Sequence, residues 1–389
     1  MSVSGHELSA SGHERRAIPG AQDQPQARLA LETSLAAGPS HAYLFHGPAG
    51  VGKRTVARGF AAELLAEGSE DPDGVRRRVG HGVHPDLTWV RPTGAHVMRT
   101  EDVDGPVVAA ATRTPFEAAR RVFVLERVET MNDEVANRML KTLEEPAAFV
   151  HLILICDAIG QVLPTVVSRC QLVRFGPLPA TRIAAALEAD AVPADRAAAC
   201  ARLAMGNGAR ARFLASEEGE ALRADIDRLM TAALGADTRE ATEAPAWQSL
   251  LDRAKRRKGE AEARVTETRD SRLESEPKGR DRGALERQFD ESAKREGRRA
   301  QTEVLDLGLS LAALGFRDLV CLAEGADASA LDPGRATALA AAAGARDPRS
   351  LREAAERCEH VRLSLSLNVT EDLALEALGY RLLSLVGSS

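Results

Sequence analysis

The sequence predicts an α/β protein: a parallel sheet covered by helices over its first half, followed by an all-helical second half. Three observations lead there. A glycine-rich phosphate loop lies between a strand-like and a helix-like run; four further short β-rich runs are separated by helix-length segments; and no credible strand follows Phe175. Strands alternating with helices need the long crossovers of a parallel sheet, which buries both of its faces.

Taken in order, Ala42-Tyr43-Leu44-Phe45-His46 reads as a buried strand. Gly47-Pro48-Ala49-Gly50-Val51-Gly52-Lys53-Arg54-Thr55 then follows the G-x-x-x-x-G-K-[ST] loop through Lys53, with Arg54 directly after the lysine and the hydroxyl residue, Thr55, one place further on. Its glycines let successive backbone N–H groups turn toward phosphate oxygens, Lys53 is expected to reach the β and γ phosphates, and Thr55 to ligate Mg²⁺. Residues 54–67 place Val56, Phe60, Leu64 and Leu65 at helical spacing. The remaining strands are expected at Asp86-Leu87-Thr88-Trp89-Val90, Arg121-Val122-Phe123-Val124-Leu125, His151-Leu152-Ile153-Leu154-Ile155 and Gln171-Leu172-Val173-Arg174-Phe175. Before the fourth of these five strands, Val135, Met139, Leu140 and Leu143 make one apolar helix face, capped by Asn132 or Asp133 and ended by Glu144-Glu145-Pro146.

Gly176-Pro177-Leu178-Pro179 punctuates the chain. Beyond it come a set of short helices interrupted at Gly206-Asn207-Gly208 and a stretch crowded with charge of both signs and poor in large apolar residues. That stretch is expected to be a solvated helix or partly disordered. Apolar periodicity returns at Val304, Leu307, Leu311 and Leu314, and again at Leu373, Ala377, Leu378 and Leu382, as in a helical domain with its own core.

Composition bounds the rest. At 389 residues the chain has room for two or three domains, and a net charge of −6 argues against a protein that grips nucleic acid over its whole surface. The five cysteines form no C-x-x-C pair, which implies neither a disulfide framework nor a zinc site. No apolar run reaches the roughly 18 residues of a membrane span, and no signal-like segment opens the chain. A soluble, cytoplasmic protein is the expectation.

Several motifs converge on one family. Met139-Leu140-Lys141-Thr142-Leu143-Glu144-Glu145-Pro146 with a later Ser168-Arg169-Cys170 resembles the bacterial DNA polymerase III clamp loader subunits of the AAA+ superfamily. His84-Pro85-Asp86 before the second strand, and Asn368-Val369 followed by Leu373-Ala374-Leu375-Glu376, extend the match. The resemblance implies an AAA+ nucleotide-binding domain over 1–176, a small helical lid over 177–240, the charged segment over 241–302 and an all-α collar that closes a ring over 303–389. It also implies partners: gamma/tau and delta subunits, the sliding clamp, and primer-template DNA through the assembled complex, with ATP and Mg²⁺ as cofactors.

Within that family the residues after the third strand discriminate. The ATP-hydrolysing motor resembles a D-E-x-H pattern there, whereas this chain has Glu126, Arg127, Val128 and Glu129. Glu126 remains a candidate metal ligand, but Arg127 cannot accept a proton and so cannot act as a general base. Cys156-Asp157 stands where the motor offers threonines, and the four zinc cysteines common in the family are missing, with Arg76-Arg77-Arg78 and His81 in their place. No zinc is expected. The resemblance therefore favours a delta prime subunit, with a catalytically active gamma/tau-type ATPase as the alternative.

By the same resemblance, Arg169 is an arginine finger that acts on the ATP of a neighbouring subunit, and Arg210 reads the nucleotide from the lid. Each also reads as an ordinary arginine, Arg169 on the surface and Arg210 at a helix end. The runs Arg76-Arg77-Arg78 and Lys255-Arg256-Arg257-Lys258 are open to phosphate contact, but the acidic residues around the second favour a charge-paired helix surface.

Overall fold

The computed structural model describes residues 18–92, 97–235, 247–274, 280–343, 346–365 and 369–387. The chain divides into two compact units, Met1–Pro177 and Leu178–Ser389. Asn368, one of the resemblance residues, lies outside the described residues.

The first unit is built on five strands, β1 (Ala42–His46), β2 (Leu87–Val90), β3 (Arg121–Glu126), β4 (Val150–Cys156) and β5 (Gln171–Arg174). All pairings are parallel, and the order across the sheet is β2-β3-β4-β1-β5. This is the parallel α/β arrangement that the alternation of strands and helices predicts. Helix α1 (Pro25–Ala37) precedes β1, and α2 (Lys53–Ala66), α3 (Pro72–His81), α4 (Thr100–Val103), α5 (Asp133–Glu144) and α6 (Pro164–Val167) lie in the crossovers.

Period-two alternation assigns the side chains to two cores. Tyr43, Phe45, Val122, Val124, Ile153 and Ile155 join Phe60, Leu64 and Phe175 on one face of the sheet. Leu44, Phe123, Leu125, Leu152 and Leu154 join Val135, Met139 and Leu143 on the other. Both faces are therefore dry, and the strands read as continuous apolar runs. Asn132 caps α5 by accepting the Val135 N–H at 2.9 Å, which selects between the two cap candidates.

His84-Pro85-Asp86 forms a buried clasp at the start of β2. Asp86 accepts backbone N–H groups from Phe116 at 2.6 Å and from Glu117 and Ala118 at 2.9 Å each. In α3, Arg76 grips Glu63 through two hydrogen bonds of 2.8 and 2.9 Å, and Arg78 pairs with Glu117 at 2.6 Å. These two members of the basic run are used internally.

The second unit consists of α7 (Ala180–Ala189), α8 (Ala194–Leu203), α9 (Gly208–Ala215), α10 (Glu217–Gly235), α11 (Gln248–Glu274), α12 (Arg280–Ala323), α13 (Pro333–Ala343), α14 (Pro348–Ser364) and α15 (Glu371–Val386). The charged stretch is helical where described: α11 and α12 lie antiparallel, with Arg269 paired to Asp290 at 2.6 Å and Gly297 against Glu262. Helix α12 runs unbroken through residue 302. Buried residues from α7 to α15, among them Leu187, Leu203, Ile226, Leu250, Phe316, Leu351 and Leu382, form one continuous apolar cluster. Sparse apolar residues suffice at the base of the charged stretch because Trp247, Leu250, Leu251 and Ala254 all point inward. Lys255 pairs with Asp372, and Arg257 with Glu218 and Glu260, so this basic run is largely charge-paired. No described helix is long and apolar enough to cross a membrane.

Candidate nucleotide site

Parallel pairing brings the carboxyl ends of β1, β3 and β4 to one edge of the sheet. His46 is level with Cys156 and Glu126 with Ile155, so the loop after β1, the Glu126 carboxylate and Asp157 meet there. Gly47 and Gly52 hold φ angles of 142° and 97°, which L side chains rarely adopt. A Cβ on Gly47 would also overlap the carbonyl oxygen of Phe175.

Lys53 opens α2 and is only 4 % exposed. Its ammonium donates to the carbonyl oxygens of Gly47 and Pro48, and pairs with Asp157 at 2.7 Å. The cation that spacing assigns to phosphate thus has an internal anion as partner. Pro48, Ala49, Gly50 and Val51 complete the turn, and Thr55 sits in the first turn of α2 with its methyl group against Gly20.

Gln24 is a residue that sequence reasoning missed. Its buried amide donates to the carbonyls of Val51 at 3.0 Å and Gly176 at 2.9 Å, and accepts the Gly176 N–H at 3.0 Å. It ties the phosphate loop to the chain leaving β5. Its only local signal is a place just before Pro25 at a helix start, which many polar residues share.

Glu126 differs from expectation. It is 1 % exposed, and both carboxylate oxygens are committed: Oε1 accepts from Trp89 Nε1 at 2.6 Å and Arg91 Nε at 3.1 Å, and Oε2 pairs with Arg54. Mg²⁺ asks for near-octahedral oxygen ligands at about 2.0–2.1 Å. A carboxylate already balanced by two guanidiniums is poorly matched to that demand, in contrast to the metal-ligand role expected of Glu126. Among the described residues no group of three or more His, Cys, Asp or Glu side chains is arranged to hold a metal ion.

Arg127 follows in the left-handed region, with φ 57°, and starts a short 3-10 turn over Val128–Thr130. The next carboxylate, Glu129, has Oε2 buried with no hydrogen-bond partner. Burial raises its pKa, and the nearby charge of Asp157 adds to the shift. Burial likewise pushes the Cys156 and Cys170 thiols up to about 12, so both serve as small packed groups and neither as a nucleophile.

Arg169 stands just after α6, its side chain 32 % exposed. Nη1 donates to the Thr165 carbonyl at 2.8 Å and the Ser168 hydroxyl at 3.3 Å, while Nη2 pairs with Glu144, the last residue of α5. Two motifs that look separate in sequence therefore meet: the Glu-Glu-Pro end of α5 holds the arginine of Ser168-Arg169-Cys170. Arg210 lies in the second unit. Its N–H is capped by Asn207 at 2.9 Å and its guanidinium is 3.9 Å from Asp306.

Residues 23–179 match the family described as DNA polymerase III, delta subunit. The chain is 37 % identical over 171 residues to the DNA polymerase III subunit delta' of Pseudomonas aeruginosa, covering 42 % of this chain and 51 % of that one. To the subunit delta' of Bacillus subtilis it is 33 % identical over 143 residues, covering 36 % and 43 %. To the DNA polymerase III subunit gamma of Buchnera aphidicola it is 27 % identical over 135 residues, covering 33 % and 37 %. The matches span about half the length of these curated relatives or less. Residues 23–179, which carry the phosphate loop, Glu126 and Arg169, are therefore similar to the DNA polymerase III delta and delta' subunits.

Proposed function

We propose that this chain works as the delta prime subunit of a DNA polymerase III clamp loader. In this reading it binds a nucleotide in its own phosphate loop, hydrolyses it poorly or not at all, and assists ATP-driven loading of a sliding clamp onto primed DNA. One observation carries the reading: the position after Glu126 holds Arg127, which cannot accept a proton from water, while Glu126 is neutralised by Arg54 and Arg91. Arg169, anchored on Glu144, is the group offered to a neighbouring ATPase subunit, where a fixed guanidinium stabilises the charge of phosphoryl transfer. Gamma/tau and delta subunits, the clamp and primer-template DNA are the proposed partners, and the cytoplasmic replisome is the proposed location. Helices of 177–240 and 303–389 are assigned lid and collar roles, with Arg210 on the lid.

The competing reading, an active ATPase of gamma/tau type, is favoured by the phosphate-loop glycines and Lys53 and by Glu129, whose raised pKa and partnerless oxygen suit a proton acceptor. One set of assays decides. The isolated chain should show negligible ATP turnover; vigorous hydrolysis abolished by Lys53→Ala overturns the passive reading. In a loader reconstituted with gamma/tau and delta subunits, Arg169→Ala should leave assembly intact and lower clamp- and DNA-stimulated ATPase activity. An unchanged rate removes Arg169 from the mechanism.

A further inference from the structure

We infer that the phosphate loop of this chain holds its nucleotide without a divalent cation, the Arg54 guanidinium supplying the countercharge. This rests on the nucleotide binding proposed above and adds what neutralises the phosphates.

The carboxylate that would hold a metal is fully engaged. Glu126 Oε1 serves the Trp89 indole N–H and Arg91, and Oε2 serves Arg54. A divalent ion reaching Glu126 must displace at least one of these donors. If it displaces Trp89, an indole N–H in a part-buried contact loses its acceptor. If it displaces Arg54 or Arg91, two positive groups are pressed together at a carboxylate able to balance one. The other carboxylates at this edge offer no alternative. Asp157 is spent on Lys53, and burial biases Glu129 toward its protonated form, which is a poor ligand for a hard cation.

Arg54, in contrast, is suited to anions. It follows Lys53 in the first turn of α2, where backbone N–H groups and the helix dipole already favour negative charge. Nη2 pairs with Glu126, and 53 % of the side chain is exposed, so the guanidinium still presents donors to phosphate oxygens. Because Glu126 holds the guanidinium from one side, little side-chain freedom is lost when phosphate arrives. Glu126 then acts as a positioning residue for an arginine, in the place where a metal ligand was expected from spacing.

The test is equilibrium binding of fluorescent ADP and ATP analogues to the full chain, in excess magnesium and in EDTA. Affinities should agree within about twofold in the two buffers, and Arg54→Ala should weaken binding in EDTA by about tenfold. Glu126→Gln, which frees the guanidinium without removing it, should retain binding in both buffers. Binding that requires magnesium, or that falls in Glu126→Gln only when magnesium is present, overturns the inference, as does Arg54→Ala binding as tightly as the unaltered chain in EDTA. Absence of binding in both buffers by a chain with an intact circular dichroism spectrum instead defeats the nucleotide reading itself, and this inference with it.

Discussion

Replacing Asp86 with alanine tests the clasp that sets β2 and the loop before β3. Asp86 is 0 % exposed and accepts three backbone N–H groups, from Phe116, Glu117 and Ala118. Hydrogen bonds to a charged acceptor are worth about 1.5–3 kcal/mol each, but they are not additive here. Phe116 is 84 % exposed, so its N–H is readily reclaimed by water once the carboxylate is gone. Counting two of the three bonds as lost gives about 3–6 kcal/mol, a large part of the roughly 5–15 kcal/mol that holds a domain together. Unfolding by urea, followed through Trp89 fluorescence in a Trp247→Phe background, reports on the first unit alone. The cost should also depend on pH. Burial by itself would raise the Asp86 pKa, but the three N–H groups outweigh it and hold the carboxyl below its ordinary value. The contribution is therefore fully present above the unfolded carboxyl pKa of about 4 and is lost as pH falls through the lower folded value. A loss below about 1 kcal/mol at neutral pH, or one that grows in acid, would refute this account.

Asp157→Asn removes the internal anion from Lys53. Asp157 is 47 % exposed, so the pair contributes only about 1 kcal/mol, and nucleotide affinity should rise by about three- to tenfold; unchanged or weaker binding contradicts the competition. Burial holds His151 neutral, with its pKa pulled down to about 4. Between the unfolded value of about 6.5 and that folded value the unfolded chain binds the extra proton, so stability should fall by up to about 3 kcal/mol as pH drops through this window. His151→Asn should flatten the slope, and an equal slope in that variant assigns it to other groups. Glu144→Gln should loosen Arg169 without deleting it, lowering the ATPase rate of a reconstituted loader by less than Arg169→Ala does. Equal losses in the two variants would show that Glu144 does more than position the arginine.

Much of the fold was legible because its signals are local. The strands at 42–46, 121–125 and 151–155 are continuous apolar runs, the α5 cap is an Asn one residue ahead of its helix, and the phosphate loop is a contiguous motif whose glycines need their own backbone angles. The helical character of the charged stretch was less clear, since its support comes from pairs such as Arg269 with Asp290 on a facing helix. The site was legible as a set of positions but not as a set of partners. Nothing near Gln24 in the sequence points to Val51 or Gly176, and nothing near Arg169 points to Glu144.

The sequence alone determined the phosphate loop, the parallel α/β plan and the arginine that follows Glu126 at the end of β3. These are properties of residue type and spacing, and no neighbour can alter them. Only the tertiary structure decided which charges cancel: Lys53 with Asp157, Glu126 with Arg54 and Arg91, Arg169 with Glu144. Ion pairing depends on separations of a few ångströms between groups far apart in the chain, and those separations exist only once the sheet has aligned its carboxyl ends.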